Sequence, residues 1–252
     1  MGTYAEQAVA PDLRSHLRCS WTTVTRAGGM VLPDGCLDLM WIDGELVVAG
    51  PDTAATPSGL RHGLEVAAVR FRPGVAPAVL GLPASALRDS RVPLAELWPG
   101  AGRLARQVGD SGDRVAVLEA AIRRRLADAP PPDPVAVAVA GRLQRRSGGV
   151  GGLADRAGLS ERQLHRRCLT AFGYGAKTLD RVLRLQRFLA LGRASPSTGL
   201  AELAVTAGYT DQAHLGHDTR ALAAATPAEL LPGREVLPRR RPSPRDTCRR
   251  PG

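Results

Sequence analysis

"LADRAGLSERQLHRR", Leu153 to Arg167, returns in altered form as "LAVTAGYTDQAHLGH", Leu203 to His217. In the first copy Leu153, Ala154, Ala157 and Leu159 give a short helix one apolar side, and in the second Leu203, Ala204 and Ala207 do the same. Each segment then meets a glycine, Gly158 or Gly208, where a helix ends in a left-handed residue. The chain restarts at Ser160, a good N-cap, and in the second copy at Asp211 after a turn one residue longer. Leu164, Cys168 and Phe172 recur at i+4 spacing and predict a buried face, which leaves Arg162, His165, Arg166 and, to one side, Arg167 outside. The second restart carries Gln212, His214 and His217.

Two short helices joined by a glycine turn, the second apolar inside and arginine-rich outside, follow the helix-turn-helix scheme, in which the second helix enters the major groove. Arginine can bond guanine O6 and N7 in parallel, glutamine can pair with adenine, and histidine can donate to acceptors or reach phosphates. The plainer alternative is a set of charges that only solvates a surface helix. Between the copies, "KTLDRVLRLQRFLALGR" places Leu179, Val182, Leu183, Gln186, Leu189 and Ala190 on one face. This predicts one rigid helix that fixes the distance between two readers.

The formal net charge of +10 is unevenly placed. Residues 1–134 carry 14 basic and 15 acidic side chains, residues 135–231 carry 13 and 7, and residues 232–252 carry 7 and 2. A basic C-terminal half beside a neutral N-terminal half is the electrostatic footprint of a domain that meets a polyanion. Arginine supplies 33 of the 34 basic residues, Lys177 being the lone lysine, a bias that carries no functional message alone.

Further outward the pattern changes. "CLDLMWI" and "ELVV" flank Asp43-Gly44, a two-residue hairpin signal, and "LEVAAVRF" reads as another strand ending at "RPG". From Ala76 short helical pieces follow, and after Asp113 an amphipathic helix aligns Val115, Leu118, Ile122 and Leu126. That face needs a partner, either the β region or the same helix of a second subunit. "DAPPPDP", 128–134, reads as a linker, because successive prolines cannot continue a helix. The expected fold class is α+β with two domains. An N-terminal domain, 1–127, is a small β barrel or sandwich (about 15–75) completed by helices (76–127). An all-α domain of about seven helices with two helix-turn-helix units spans 135–231. The proline- and arginine-rich tail, 232–252, is expected to be disordered.

Several function classes lack support. No run of about 18 apolar residues predicts a membrane span, and the first residues lack the apolar core of a signal peptide, so a cytoplasmic protein is expected. Cys19, Cys36, Cys168 and Cys248 are dispersed, without the spacing of a disulfide framework or zinc site. Cys36 near Asp34 and Asp38, with His62 as a base, invites a catalytic reading. A small buried residue beside an Asp34-Gly35 turn is the more economical one. The sequence therefore predicts no catalytic residue, metal ligand or cofactor. Arg70 and Arg72 alternate with Val69 and Phe71, and from one side of a strand they can bind an acidic effector or a carboxylate of their own domain.

With these residues in view, the C-terminal region resembles the AraC/XylS family of bacterial transcription regulators. The stretches that carry the resemblance are "LADRAGLSERQLHRRCLTAFGYGAKTLDRVLRLQRFLAL" and "LAELAVTAGYTDQAHLGHDTRAL", with "TPAEL" beyond. It implies base reading by Arg162, His165 and Arg166 in the first recognition helix and by Gln212, His214 and His217 in the second. It implies a structural or phosphate-contacting role for Arg184, with Arg167 placed likewise. The second unit departs from the family pattern at Leu215, usually aromatic; at Gly216, usually a small hydroxyl residue; at His217, usually arginine; and at Thr219, usually phenylalanine. A glycine usual near Ala224 is also missing. Gly216 inside a helix costs about 1 kcal/mol relative to alanine. Base reading and backbone contact both stay open for that helix. "LPDGCLDLMWIDGELVVAGPDT" and "VRFRPG" resemble a small β domain that precedes this DNA-binding domain in some such regulators. The implied partners are double-stranded promoter DNA, RNA polymerase, a small-molecule effector and a second subunit, with no membrane. The rival readings are a non-specific DNA-coating protein and a DNA reader fused to an N-terminal enzyme.

Overall fold

The computed structural model describes residues 4–26, 29–145 and 149–231; the basic tail and Cys248 lie outside the described residues. Among the described residues the N-terminal domain has eight strands: β1 (Ala5–Gln7), β2 (Leu17–Val24), β3 (Met30–Val31), β4 (Asp38–Ile42), β5 (Glu45–Ala49), β6 (Thr56–Pro57), β7 (Glu65–Phe71) and β8 (Arg91–Pro93). Six form an antiparallel sheet in the order β1-β2-β7-β4-β5-β8, while β3 and β6 pair separately. The β4–β5 hairpin turns through Asp43 (φ 51°) and Gly44 (φ 88°), two left-handed residues as a two-residue hairpin turn requires.

Alternation along the strands gives the sheet two unlike faces. Leu17, Leu39, Trp41, Leu46, Val48, Val69 and Phe71 point to one side and pack with α1 (Ala76–Leu80), α2 (Ala101–Gly109) and α3 (Arg114–Asp128). Asp113 caps α3 by accepting from Ala116 N at 3.0 Å. Val115, Leu118 and Ile122 are buried in this core, so the amphipathic helix finds its partner within its own domain. Glu119 shares that buried side, where its carboxylate accepts from Ser20 Oγ and, at 3.2 Å, from Ala10 N. A buried carboxylate survives because it is bonded.

The C-terminal domain contains, among the described residues, α4 (Pro134–Gln144), α5 (Leu153–Arg156), α6 (Glu161–Phe172), α7 (Ala176–Ala194), α8 (Leu200–Ala207) and α9 (Gln212–Ala223). Asp133 caps α4 by accepting from Val135 N at 2.9 Å, and Pro134 occupies the first helical position, where its missing N–H costs nothing. α7 is buried on two sides. Leu179 and Leu183 enter a core with α4, α5 and α6; Val182, Leu185, Phe188 and Leu189 enter another with α8 and α9. The single-face reading is corrected here: Ala190 is exposed, whereas Leu185 and Phe188, off the expected face, are fully buried.

The two domains touch along both helix-turn-helix units. Arg88 Nη1 donates to the Gly173 carbonyl at 3.3 Å beyond α6, and Ala55 N donates to the Leu222 carbonyl at 2.7 Å near the end of α9. Between them, Gln186 Nε2 of α7 donates to the Pro33 carbonyl at 2.8 Å. Gly173 has φ 80°, and a Cβ there would lie 2.7 Å from Pro51 Cγ, so glycine is required at this junction.

Candidate nucleic-acid interface

The first unit is built as its sequence dictates. α5 runs into Gly158 at φ 63°, and Leu159 N returns to the Ala154 carbonyl at 3.0 Å. Ser160 then opens α6 with a reciprocal cap: its hydroxyl accepts from Gln163 N at 3.3 Å, while Gln163 Oε1 accepts from Ser160 N at 2.9 Å. Leu164, Cys168 and Phe172 are buried, and Arg162, His165, Arg166 and Arg167 are exposed. No described residue pairs with the guanidinium of Arg162 or Arg166. His165 lies against the start of α7, where a Cβ on Gly175 would come within 2.9 Å of its Nδ1. Arg167 turns aside and donates to both carboxylate oxygens of Asp133 at 2.9 Å, tying α6 to the start of α4. Burial pushes the Cys168 thiol beneath α6 up to about 11.

In the second unit, α8 ends at Gly208 (φ 104°), and Asp211 caps α9 by accepting from His214 N at 2.7 Å. Gln212 and His217 are exposed, but His214 is half-buried. Its Nε2 lies 3.3 Å from Arg184 Nη1, its Nδ1 lies 3.3 Å from Thr210 Oγ1, and its ring meets Tyr209 edge-on at 5.3 Å. Both ring nitrogens are thus engaged inside the domain. Arg184 also bonds Asp180 and lies over the Tyr209 ring at 5.2 Å, facing the protein.

Two ties escaped sequence reading. Arg181 Nε donates at 2.9 Å to Asp218, a buried carboxylate that anchors α9 to α7. Arg187 donates to the Ala207 carbonyl at 2.7 Å and the Leu143 carbonyl at 3.0 Å, joining α8 and α4 to α7. An arginine at helical spacing looks the same in sequence whether it faces DNA or a neighbouring carbonyl.

The sites expected in the N-terminal domain resolve differently. Arg70 binds Asp38 through Nε at 2.9 Å and Nη2 at 2.8 Å, and its Nη1 lies 3.2 Å from Asp34. Burial works against the Arg70 charge, but Asp38 and Asp34 outweigh it and hold its pKa above the ordinary arginine value. Burial raises the Asp38 carboxyl against the opposing pull of Arg70. Of the two alternatives open for Arg70, a carboxylate of its own domain is the one present. Arg72 is exposed and donates through Nε to the Arg14 carbonyl at 2.6 Å. Asp34 accepts from Cys36 N at 2.9 Å around Gly35 (φ 81°), the turn its sequence announced, and burial drives the Cys36 thiol well above its usual range. His62 is exposed in the loop before β7. Among the described residues, no group of three or more His, Cys, Asp or Glu side chains is placed to hold a metal ion, and no helix is long and apolar enough to cross a membrane.

Comparison with known proteins gives two matched stretches. Residues 6–93 match a domain of unknown function, DUF6597, and residues 153–232 match a helix-turn-helix domain. No curated protein matches the chain. Among solved structures, ToxT from Vibrio cholerae is 8% identical with a TM-score of 0.49, over 85% of this chain and 98% of that one. An apo ToxT variant from the same organism is 9% identical with a TM-score of 0.48, over 84% and 96%. The C-terminal region, over residues 153–232, is a helix-turn-helix domain.

Proposed function

We propose that the protein is a sequence-specific transcription regulator that binds double-stranded promoter DNA in the cytoplasm, with α6 as its principal reader. The observation that carries this reading is the contrast between arginines of one domain. Arg167, Arg181, Arg184 and Arg187 all turn to carboxylates, carbonyls or an aromatic ring within the protein. Arg162 and Arg166 stand exposed on the outer face of a capped helix, one helical turn apart, with His165 between. Unpaired guanidinium forks at that spacing suit the guanine edges of successive base pairs. Gln212 and His217 provide a second, weaker reading surface on α9. His214 acts by positioning that surface through Arg184 and Tyr209. RNA polymerase is the partner expected of a promoter-bound regulator, and the N-terminal domain is the seat of control by a small molecule or a second subunit.

The test is selection of binding sites by the purified chain from a random duplex pool at about 150 mM salt, where phosphate attraction alone is weakened. Two enriched boxes about 10 base pairs apart would support reading by both helices, and one box reading by α6 alone. Equal recovery of all sequences would overturn the proposal in favour of DNA coating.

A further inference from the structure

The two helix-turn-helix units differ in charge as much as in sequence. Residues 149–175, the first unit, carry Arg156, Arg162, Arg166 and Arg167 against Asp155 and Glu161, a formal charge of +2 with histidine neutral. Residues 195–231, the second, carry Arg220 alone against Glu202, Asp211, Asp218 and Glu229, a formal charge of −3. Arg181 of α7 neutralises Asp218, which still leaves an excess of acidic groups. The single arginine is itself engaged, because Arg220 Nη1 donates back to the Gly216 carbonyl at 3.3 Å. Gln212 and His217, exposed on α9, bring no permanent cation. A unit of net negative charge is repelled by the duplex whose groove it is to enter.

The missing charge lies immediately beyond. Residues 232–252 hold seven arginines against Glu235 and Asp246, a formal charge of +5, with Arg239, Arg240 and Arg241 consecutive. These residues lie outside the described ones, but the point from which they leave is fixed. Thr226 Oγ1 accepts from Glu229 N at 3.3 Å while Glu229 Oε2 accepts from Thr226 N at 2.7 Å, a reciprocal cap on the closing turn. Leu230 N and Leu231 N then donate to the Thr226 and Ala228 carbonyls, both at 3.2 Å. Leu231 is buried in the core shared by α7, α8 and α9, which also holds Leu203 and Leu222. The arginines are therefore tethered to the acidic unit. A stretch of 21 residues can reach at most about 70 Å, and one turn of DNA rises about 34 Å. We propose that residues 232–252 are a cationic arm that binds the phosphates of duplex DNA flanking the box under α9, and so supply the positive charge that the second unit lacks. The position of the arm rests on the proposed regulator reading; its attraction to the duplex does not.

The test compares the full chain with a variant carrying Arg239→Gln, Arg240→Gln and Arg241→Gln, with duplex affinity measured from about 50 to 200 mM salt. These positions lie eight or more residues beyond Leu231, so the fold should be kept, checked by an unchanged thermal midpoint. Three phosphate contacts contribute a slope of about 2.7 in log affinity against log salt. Across that range the full chain should therefore lose roughly fortyfold more affinity than the variant, on selected and random duplexes alike. Trimming a selected duplex reads the position. Removing the flank beyond the α9 box should weaken the full chain severalfold and leave the variant unchanged, while removing the opposite flank should affect neither. Equal salt slopes for the two proteins would overturn the arm, and site selection kept at the same time would show that the regulator reading survives it. Loss on both flanks alike, or on neither, would overturn its placement beside the second unit. A larger slope difference on single-stranded RNA than on the duplex would overturn duplex DNA as its partner. Failure to select any duplex would remove the regulator reading, and the slope difference on random DNA would then decide the arm by itself.

Discussion

Gln186 of α7 donates to the Pro33 carbonyl at 2.8 Å, a bond between residues 153 positions apart that joins the centre of the DNA-binding domain to the loop before β4. In sequence Gln186 sits among leucines and reads as one more core position; in the structure it is where α7 turns from its own core toward the N-terminal domain. Removing it leaves the Pro33 carbonyl without this partner at the domain junction. Gln186→Ala should lower stability by about 1 kcal/mol, or about 2–4 °C in thermal midpoint for a chain of this size. An unchanged midpoint in scanning calorimetry would show that the two domains dock without this bond.

Arg166→Ala tests the reading face. It should weaken binding to the selected site by about 1–3 kcal/mol and relax preference at one base pair, because a bidentate contact to guanine is lost. Stability should move by less than about 0.5 kcal/mol, since the side chain is exposed and pairs with no described residue. Arg167→Ala should do the reverse, leaving base preference intact while breaking the tie to Asp133. Equal weakening by Arg166→Ala on selected and random duplexes would make Arg166 a phosphate contact.

The thiols give a pH prediction. Burial raises Cys19 and Cys168 to about 11 and drives Cys36 well above its usual range, whereas an unfolded thiol titrates near about 8.5. The folded state therefore disfavours thiolate at all three. Their contribution to stability is complete below about pH 8.5 and declines as pH rises toward 11. In a Cys248→Ser background, a disulfide reagent at pH 8 should find these three thiols silent until denaturant is added. Rapid reaction of any one of them in the folded protein would contradict its burial.

Much of the helical domain was legible because its signals are local. Glycines at φ 63° and 104°, Ser160 and Asp211 as caps, and the Leu164-Cys168-Phe172 spacing each act within a few residues of chain. The β4–β5 hairpin was legible for the same reason, through Asp43 and Gly44. What escaped depends on partners distant in sequence. Arg70 meets Asp38 only because β4 pairs with β7, and His214 loses its freedom only because α9 packs on α7 near Arg184. The surroundings of the sheet's second face were illegible because alternation reveals that a strand has two faces without saying what stands opposite each.

Ala224 offers a last test, at a position where the sequence departs from its resemblance. It ends α9 at φ 50° and ψ 27°, a left-handed conformation that costs a residue with a Cβ about 1 kcal/mol or more. Its N–H still closes the helix by donating to the Arg220 carbonyl at 3.1 Å, so the cap is formed despite the strain. Ala224→Gly removes that strain, while the added freedom of the unfolded chain offsets part of the gain. The expected outcome is a stabilisation of up to about 1 kcal/mol, seen in urea as a higher midpoint with an unchanged slope. Gly208→Ala should act in the opposite direction, because Gly208 sits at φ 104° at the end of α8. A lower midpoint for Ala224→Gly would mean that α9 does not end in a left-handed residue, and the second recognition helix would then need a different C-terminal boundary.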